Sequence, residues 1–261
     1  MREITWKDTE ARAALAALKQ AAPFVYGLTN YVAANLSANV LLAVGAGPAI
    51  GVAPGWPKAF GAGAGAMWIN TAALMSSSPE TLLEAARAAH EAATPWVLDP
   101  VAVGAGAPEY DAAVRALLAF RPTVIRGNAS ELIALASGGA GGKGVETTAT
   151  ADEARAFVQD LAARTGSIAA VSGPVDYITN GQDVLAVPGG DVRLTKVTGA
   201  GCSLGALIAA MLAPGGNALR ATAAAHAVYA VAAERAGART QGTASFATAL
   251  VDELSLLDPA E

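Results

Sequence analysis

Short continuous apolar runs alternate along the chain with longer segments whose apolar residues recur at helical spacing. The apolar runs predict buried strands at 24–28, 49–52, 66–69, 96–98, 123–125 and 168–171. The helical spacing predicts helices at 9–21, about 30–42, 79–93, about 110–120 and 152–164. A strand that is buried on both faces of a sheet is apolar throughout and does not alternate. The pattern therefore predicts an α/β fold with a mostly parallel central sheet flanked by helices.

The C-terminal half adds a hairpin and a helical region to this pattern. Asn180-Gly181 separates the apolar runs 177–179 and 184–187, which predicts an antiparallel hairpin. The Gly- and Thr-rich stretch 138–151 is typical of a loop, and helices are predicted at about 200–213, 217–236 and 245–256. No Ser- or Pro-rich linker and no internal repeat interrupts the chain, so we expect a single domain over residues 1–261.

Composition excludes several classes of protein. The 261 residues are 53% hydrophobic and 15% charged, which excludes a disordered chain. The net charge of −5 comes without a basic block, so we expect no nucleic-acid partner. Residues 31–57 carry no charge, but Asn, Gly and Pro interrupt them, so we expect a subunit interface in a homo-oligomer and no membrane span. One cysteine and an N-terminus without an apolar leader favour the cytoplasm.

The segment that ends in Gly199-Ala200-Gly201-Cys202 is the strongest candidate for chemistry. Small residues before a helix leave backbone N–H groups open to an anion, with the helix dipole behind them, which suits a phosphoryl group. The same dipole lowers the pKa of a thiol, so we expect Cys202 to be partly thiolate and able to take a proton from a substrate hydroxyl. The alternative is a buried, inert cysteine.

Other polar residues follow predicted strands. Asp99 and Glu131 are candidate ligands of Mg²⁺ through water, and Arg126 is a candidate clamp for a nucleotide phosphate. The alternatives are N-cap or turn residues for the carboxylates and a surface ion pair for Arg126. His90 and His226 lie in predicted helices without a carboxylate-rich neighbourhood, so we interpret both as structural.

Five segments together resemble the hydroxyethylthiazole kinase family of the ribokinase-like superfamily. They are Thr29-Asn30-Tyr31-Val32, Leu98-Asp99-Pro100-Val101, Ile125-Arg126-Gly127-Asn128, Val171-Ser172-Gly173 with Asp176, and Thr195-Lys196-Val197-Thr198-Gly199-Ala200-Gly201-Cys202. The last is the most specific, because related sugar kinases have aspartate at the position of Cys202. The resemblance covers nearly the whole chain and implies a three-layer ribokinase-like sandwich.

The resemblance also implies an activity. It implies phosphorylation of the primary alcohol of 4-methyl-5-(2-hydroxyethyl)thiazole by ATP with Mg²⁺, in thiamine biosynthesis, by a homotrimer with active sites between subunits. The resemblance implies that Arg126 and Ser172 contact ATP and that Asp99 and Glu131 contact the metal and the phosphates. It implies an anion hole of Gly199, Ala200 and Gly201, with Gly199 against the thiazole alcohol, and a general base at Cys202. It also implies a thiazole pocket near Asn30 and Ile50.

Three positions depart from the family pattern. Ile50 stands where the family usually has methionine, Thr71-Ala72 stands where it has Ile-Gly, and the arginine expected after the glycine loop is absent near Tyr110. Two alternatives therefore stay open. One is a kinase of another small heterocyclic alcohol, of the hydroxymethylpyrimidine or pyridoxal type, and the other is a catalytically weak ligand-binding trimer.

Overall fold

The computed structural model describes residues 1–137 and 150–261. The strands are β1 (Arg2–Glu3), β2 (Phe24–Leu28), β3 (Gly47–Ile50), β4 (Ala66–Asn70), β5 (Trp96–Asp99), β6 (Val124–Asn128), β7 (Ile168–Ser172), β8 (Val175–Thr179) and β9 (Val184–Pro188). The α-helices are α1 (Thr9–Ala21), α2 (Tyr31–Ala43), α3 (Trp56–Gly63), α4 (Pro79–Glu91), α5 (Pro108–Ala116), α6 (Ala129–Ala136), α7 (Ala151–Thr165), α8 (Ala200–Leu212), α9 (Ala218–Arg239) and α10 (Thr243–Leu256). Short 3₁₀ turns cover Thr71–Met75, Leu117–Phe120 and Val192–Lys196.

Within the described residues all of these strands belong to one nine-stranded sheet in the order β1-β9-β8-β7-β6-β5-β4-β2-β3. Only the β7–β8 and β8–β9 pairs are antiparallel. The prediction of a mostly parallel sheet is therefore confirmed. The predicted hairpin is also present, and Asn180 Oδ1 accepts hydrogen bonds from Gln182 N and Asp183 N across its turn.

Helices cover both faces of the sheet, which makes three layers. On β4 and β5, Trp68 and Val97 face α8, α9 and α10, whereas Met67, Ile69 and Leu98 face the layer that includes α4 and α6. Alternate residues of a strand point to opposite faces, so a covered sheet requires apolar residues at every position. This explains the continuous apolar runs of the sequence. The extent of one domain over 1–261 stays a prediction.

Several boundaries differ from the prediction. The strand expected at 49–52 lies at Gly47–Ile50, and the hydrophobic pattern did not predict the two-residue β1 or α3. Helix α3 is only eight residues long, starts beside Pro57 and ends in glycine-rich sequence, so its propensity is low. Aromatic packing of Phe60 against Phe24, Tyr26 and Trp56 holds it, with ring centroids 5.0–5.5 Å apart.

The structure describes only the last two residues of the loop expected at 138–151. Residues 138–149 lie outside the described residues, whereas Thr150 caps α7 in a reciprocal pair of hydrogen bonds with Glu153.

Among the helices of residues 1–137 and 150–261, none is both long and apolar enough to cross a bilayer.

Candidate active site

Parallel strands bring four polar residues to one edge of the sheet. Asn70 and Asp99 are register partners at the ends of β4 and β5, and Asn128 and Ser172 are partners at the ends of β6 and β7. A cleft of about 680 Å³ opens between these strand ends and the beginning of α8. Seven of the sequence-predicted site residues line it: Asp99, Arg126, Glu131, Ser172, Ala200, Gly201 and Cys202.

Arg126 lies at the centre of this cleft, on the third position of β6. Its Nη2 donates to Ser172 Oγ at 2.9 Å, and its Nη1 lies 3.8 Å from Asp99 Oδ2. A Cβ atom on Gly201 would lie 3.3 Å from Nη1, so the guanidinium group faces the first turn of α8 across a very short gap. A buried cation and a helix N-terminus thus face the same space, which favours a negatively charged ligand there. The alternative of an exposed surface ion pair is wrong, because Arg126 is buried.

Asp99 is the most deeply buried carboxylate of the cleft, with 1% of the residue exposed. Asn70 Nδ2 donates to Asp99 Oδ2 at 2.8 Å, whereas Oδ1 has no hydrogen-bond partner in the described part of the chain. Burial raises the pKa of Asp99 to about 7, although the neighbouring Arg126 lowers it. A cation or a donor at Oδ1 would therefore favour the ionised carboxylate.

Glu131 is both a helix cap and a cleft residue. Its Oε2 accepts from Asn128 N at 2.9 Å while Asn128 Oδ1 accepts from Glu131 N at 2.9 Å, a reciprocal capping box at the start of α6. Its Oε1 accepts from Ala102 N at 3.0 Å and so fixes the loop after β5. The capping alternative is thus observed, with Asn128 as the N-cap and Glu131 at the third position of the helix, and the Glu131 carboxylate still lines the cleft.

The two carboxylates suit Mg²⁺ held through water. Residues 1–137 and 150–261 contain no group of three His, Cys, Asp or Glu side chains that could enclose a metal ion. Mg²⁺ typically keeps several waters and takes one or two carboxylates together with substrate phosphates. Asp99, with its unpartnered Oδ1, and Glu131 line one cleft and meet that requirement.

The first turn of α8 has the open N–H groups that the sequence predicted, with one exchange of residue. Gly199 has φ +82°, and a Cβ there would lie 3.2 Å from Ala33 Cα, so glycine is required. The Ala200 N–H donates to Val197 O at 3.2 Å. Within the residues that the structure describes, the N–H groups of Gly199, Gly201 and Cys202 have no acceptor. The N–H group of Ala200 is therefore not open as the sequence predicted, whereas that of Cys202 is open.

Cys202 does not have the protonation state expected from the sequence. Burial raises the pKa of its thiol to about 11, and the negative charge of Asp99 raises it further. The positive charge of Arg126, a hydrogen bond with Asn70 and the helix dipole act in the opposite direction and lower the pKa. The expectation of a partly ionised thiol at neutral pH is therefore wrong, because desolvation and the neighbouring carboxylate outweigh the dipole.

The residues expected to form the thiazole pocket lie beside the cleft. Asn30 caps α2 through Oδ1, which accepts from Ala33 N at 2.8 Å, and Gly199 packs against the same Ala33. Ile50 ends the edge strand β3 and is half-buried. Neither Asn30 nor Ile50 lines the 680 Å³ cleft. Tyr31, the next residue after Asn30, is 73% accessible, and Asn30 Nδ2 lies 3.7 Å from Sδ of the exposed Met75.

Two departures from the family pattern are in direct contact. Tyr110 Oη donates to Val101 O at 2.6 Å and lies 2.9 Å from Thr71 Oγ1. Thr71 Oγ1 also lies 3.3 Å from the carbonyl oxygens of Asp99 and Val101. These hydroxyl groups therefore hold the chain that follows Asp99.

The sequence predicted no role in the site for Asn70, Asp176 or His226. Asn70 follows a buried strand as Asp99 does, and that shared position was the available signal. The interpretation of His226 as lacking a carboxylate neighbour is wrong, because His226 Nδ1 lies 2.6 Å from Asp176 Oδ2. The two residues are 50 positions apart, so only the tertiary fold brings them together. His90 is exposed on α4.

Comparison with known proteins agrees with this geometry. The model of the hydroxyethylthiazole kinase family matches residues 15–260. The chain is 72% identical over 261 residues to the hydroxyethylthiazole kinase of Burkholderia pseudomallei strain 668, covering 100% of this chain and 94% of that protein. The relative from Leptospira interrogans serovar Lai is 46% identical over 255 residues, 98% of this chain and 96% of that protein.

Solved structures show the same relation. The hydroxyethylthiazole kinase protein of Pyrococcus horikoshii OT3 superposes with a TM-score of 0.86 at 32% identity, covering 95% of this chain and 93% of that one. Bacillus subtilis pyridoxal kinase, at 18% identity and a TM-score of 0.60 over 80% of this chain and 90% of that one, shares the fold. The ribokinase-like fold and the kinase assignment made from the sequence are confirmed, and this chain belongs to the hydroxyethylthiazole kinase family.

Proposed function

We propose that this protein transfers the γ-phosphoryl group of ATP to the primary alcohol of 4-methyl-5-(2-hydroxyethyl)thiazole, a step of thiamine biosynthesis, in the cytoplasm. Family membership supports the reaction and its substrate. The single observation that carries the site is the convergence of Arg126, Asp99 and the open N–H groups of α8 on one cleft. A loose phosphoryl-transfer transition state needs positioning and charge stabilisation above all, and these groups supply both.

The residues divide the work by position. Arg126, held by Ser172, binds the phosphate chain of ATP. The N–H groups of Gly199, Gly201 and Cys202 hold the phosphoryl oxygens during transfer. Cys202 lies on the wall of the cleft as a neutral thiol, so its role in the free protein is to shape the anion hole and not to hold a base.

Asp99 and Glu131 would hold Mg²⁺ through water, with Asp99 Oδ1 as the open oxygen. The ion supplies neutralisation of negative charge on the phosphate oxygens. A pKa of about 7 makes the Asp99 carboxylate responsive to that cation, because binding selects its ionised form.

The acceptor side is proposed to be completed in a homotrimer. Apolar residues that neighbour Asn30 and Ile50 in sequence are exposed, Asn30 Nδ2 lies 3.7 Å from Met75 Sδ, and apolar side chains that face water are typical of an interface. The accessible fractions are 73% for Tyr31, 49% for Val32, 40% for Val52 and 66% for Met75. A neighbouring subunit on this surface would enclose the thiazole next to Gly199.

Thiazole-dependent release of ADP tests the reaction. Purified protein with Mg·ATP should release ADP on addition of 4-methyl-5-(2-hydroxyethyl)thiazole, and mass spectrometry should show the phosphorylated alcohol. The matched control is 4-methyl-5-ethylthiazole, which lacks the hydroxyl group and should give no response. Arg126→Lys should raise KM for ATP at least tenfold, because an ammonium group cannot hold Ser172 and a phosphate in the same planar geometry.

Other outcomes select the alternatives. Turnover with a hydroxymethylpyrimidine or with pyridoxal, but not with the thiazole, would support the proposed phosphate site and reject the thiazole alcohol as the acceptor. Tight thiazole binding by calorimetry without turnover for any alcohol would reject the kinase proposal in favour of a ligand-binding trimer.

A further inference from the structure

A buried histidine–carboxylate pair lies at the back of the nucleotide cleft. His226, on α9, has a side chain with no exposed surface, and its Nδ1 lies 2.6 Å from Asp176 Oδ2. Asp176, on β8, keeps 19% of its side chain exposed, and both residues belong to the wall of the cleft. The contact between Nδ1 and the carboxylate favours one orientation of the imidazole, because rotation would break it, and the buried Nε2 has no hydrogen-bond partner among the described residues.

The second oxygen of Asp176 fixes the β7–β8 turn. Its Oδ1 accepts from the Gly173 N–H at 2.8 Å, and Gly173 directly follows Ser172. Ser172 Oγ in turn accepts from Arg126 Nη2 at 2.9 Å. Contacts therefore run without a gap from α9 through Asp176 and the turn to the guanidinium group.

The turn has little room to adopt another position. A Cβ on Gly173 would lie 2.7 Å from Ala151 Cβ at the start of α7 and 3.4 Å from Val175 O. The turn is thus pressed between α7 and β8, and the Asp176 carboxylate is the group that holds its N–H from the cleft side. Loss of the carboxylate would remove the hydrogen bond to Gly173 N, and loss of His226 would remove the contact that orients the carboxylate, so the position of Ser172 would then depend on packing alone.

We propose that His226 and Asp176 are positioning residues for the nucleotide: His226 orients Asp176, and Asp176 holds the Ser172-Gly173 turn so that Ser172 and Arg126 meet the phosphates. This inference rests on the nucleotide side of the proposed function. His226 lies at the wall of the cleft, but its side chain has no exposed surface, so we assign its effect on the nucleotide to its contact with Asp176.

Steady-state kinetics of three variants test the proposal. Asp176→Asn, which keeps the shape of the side chain, and His226→Ala should each raise KM for ATP about tenfold or more, as expected for a lost hydrogen bond to a charged group. KM for the thiazole should change less than twofold. His226→Asn should recover most of the ATP affinity, because its amide can donate from a position close to Nδ1. His90→Asn, at the other and exposed histidine, is the matched control and should behave as wild type.

A spectroscopic measurement keeps the test independent of turnover and of variant stability. The chain has two histidines, so His90→Gln leaves His226 as the sole source of imidazole signals. Long-range ¹H–¹⁵N spectra of this variant should show a proton on Nδ1, and its chemical shift should move when Mg·ADP binds. The same shift should be absent in the His90→Gln, Asp176→Asn double variant.

The outcomes separate this inference from the proposed reaction. If Mg·ADP binds but leaves the His226 signals unchanged, and KM for ATP in Asp176→Asn equals that of wild type, the positioning role is rejected. If the variants raise KM for ATP and for the thiazole equally and His226→Asn does not recover, the pair is only structural and the proposal fails. If wild type binds Mg·ADP with the expected histidine response but no alcohol is phosphorylated, the proposed reaction fails and this inference stands.

Discussion

Burial sets the protonation of the two reactive side chains on the cleft wall. Cys202 and Asp99 both have raised pKa values, to about 11 and about 7, because each loses its hydration in the folded chain. The consequences are opposite at neutral pH. The thiol stays neutral, whereas the carboxyl group lies at its midpoint and responds to any ligand that favours one form.

The protonation of Cys202 predicts its reactivity. At pH 7.5 the native protein should react with iodoacetamide far more slowly than the urea-unfolded protein, since the thiolate is the reactive form. The native rate should keep rising with pH up to about 10, as far as the fold survives. The protein has a single cysteine, so mass spectrometry follows this one site directly. A rate that reaches a plateau below pH 8 would contradict the neutral thiol.

The raised pKa of Asp99 predicts that a variant without this carboxylate gains stability and loses activity. Between its unfolded pKa near 3.9 and its folded pKa of about 7, the folded state keeps a proton that the unfolded state has lost. Stability from this group is therefore full below about pH 4, falls as pH rises to about 7, and stays low above that. Asp99→Asn removes this loss, so its Tm advantage over ligand-free wild type should grow from pH 5 to pH 8.

The size of the expected difference in Tm depends on the length of the chain. Each 1 kcal/mol corresponds to about 2–4 °C in a chain of this size, so we expect several degrees at pH 8. Turnover should fall at least 100-fold, as for loss of a group that acts on the transferring phosphate. A variant with lower Tm than wild type at pH 8 would show that Asp99 is held as a stable ion pair with Arg126 instead.

Much of this residue-level picture follows from the sequence, and the reason is local. Asp99, Arg126, Glu131 and Ser172 lie at or near the ends of buried strands, and parallel strands gather such residues at one edge. The protonation of Cys202 and the pairing of His226 with Asp176 were missed because both depend on neighbours distant in sequence. Local spacing carries no information about such neighbours.

Among the elements, α8 carries the open N–H groups of the phosphate site and packs on the sheet. Its small residues allow a short distance between the helix and the strands. A Cβ on Gly205 would lie 2.7 Å from Trp68 Nε1 and 3.5 Å from Asp99 Oδ2. Glycine at this position therefore lets the helix lie directly on β4 and β5. The sequence predicted the helix and its small-residue start, but the close approach to Trp68 could come only from the packed structure.

Gly205→Ala should therefore move α8 away from the sheet. We expect a loss of about 1–3 kcal/mol in the free energy of unfolding, the usual cost of an added methyl group in a packed core. Turnover should fall as well, because the N–H groups of the first turn move with the helix. Gly63→Ala is the matched control: outside its own helix and chain neighbours, no atom of the described residues lies within 4 Å of the added Cβ, so its stability should be unchanged or slightly higher. Equal stability of the two variants, measured by urea unfolding, would refute the close-packing argument.

At the scale of the whole molecule, the proposed function places the phosphate donor site within one chain and the thiazole site at the exposed apolar side chains around Tyr31, where a neighbouring subunit would complete it. Arg126 and Asp99 are already buried within a single chain, and Ser172 accepts a hydrogen bond from Arg126 there. Asn30 and Ile50, by contrast, border a surface that faces water in one chain. Nucleotide binding should thus be independent of assembly, whereas thiazole binding should require it.

Tyr31→Glu tests this division. A carboxylate at a 73% exposed position costs the single chain little, but it would lie unpaired in an apolar interface. Light scattering should show loss of the trimer, with KM for the thiazole raised at least tenfold and the Kd of Mg·ADP within twofold of wild type. Phe157→Glu, at a 44% exposed aromatic residue on α7, is the control and should remain trimeric. A monomeric wild type with full thiazole turnover would reject the shared acceptor site.

The neutral, solitary thiol of Cys202 also determines how the enzyme tolerates oxidants. Peroxide attacks thiolates, and a pKa of about 11 leaves only about one thiol in ten thousand ionised at pH 7. The chain contains no second cysteine with which an internal disulfide could form. Phosphoryl transfer by this protein should therefore continue under oxidative stress that inactivates enzymes with ionised active-site cysteines.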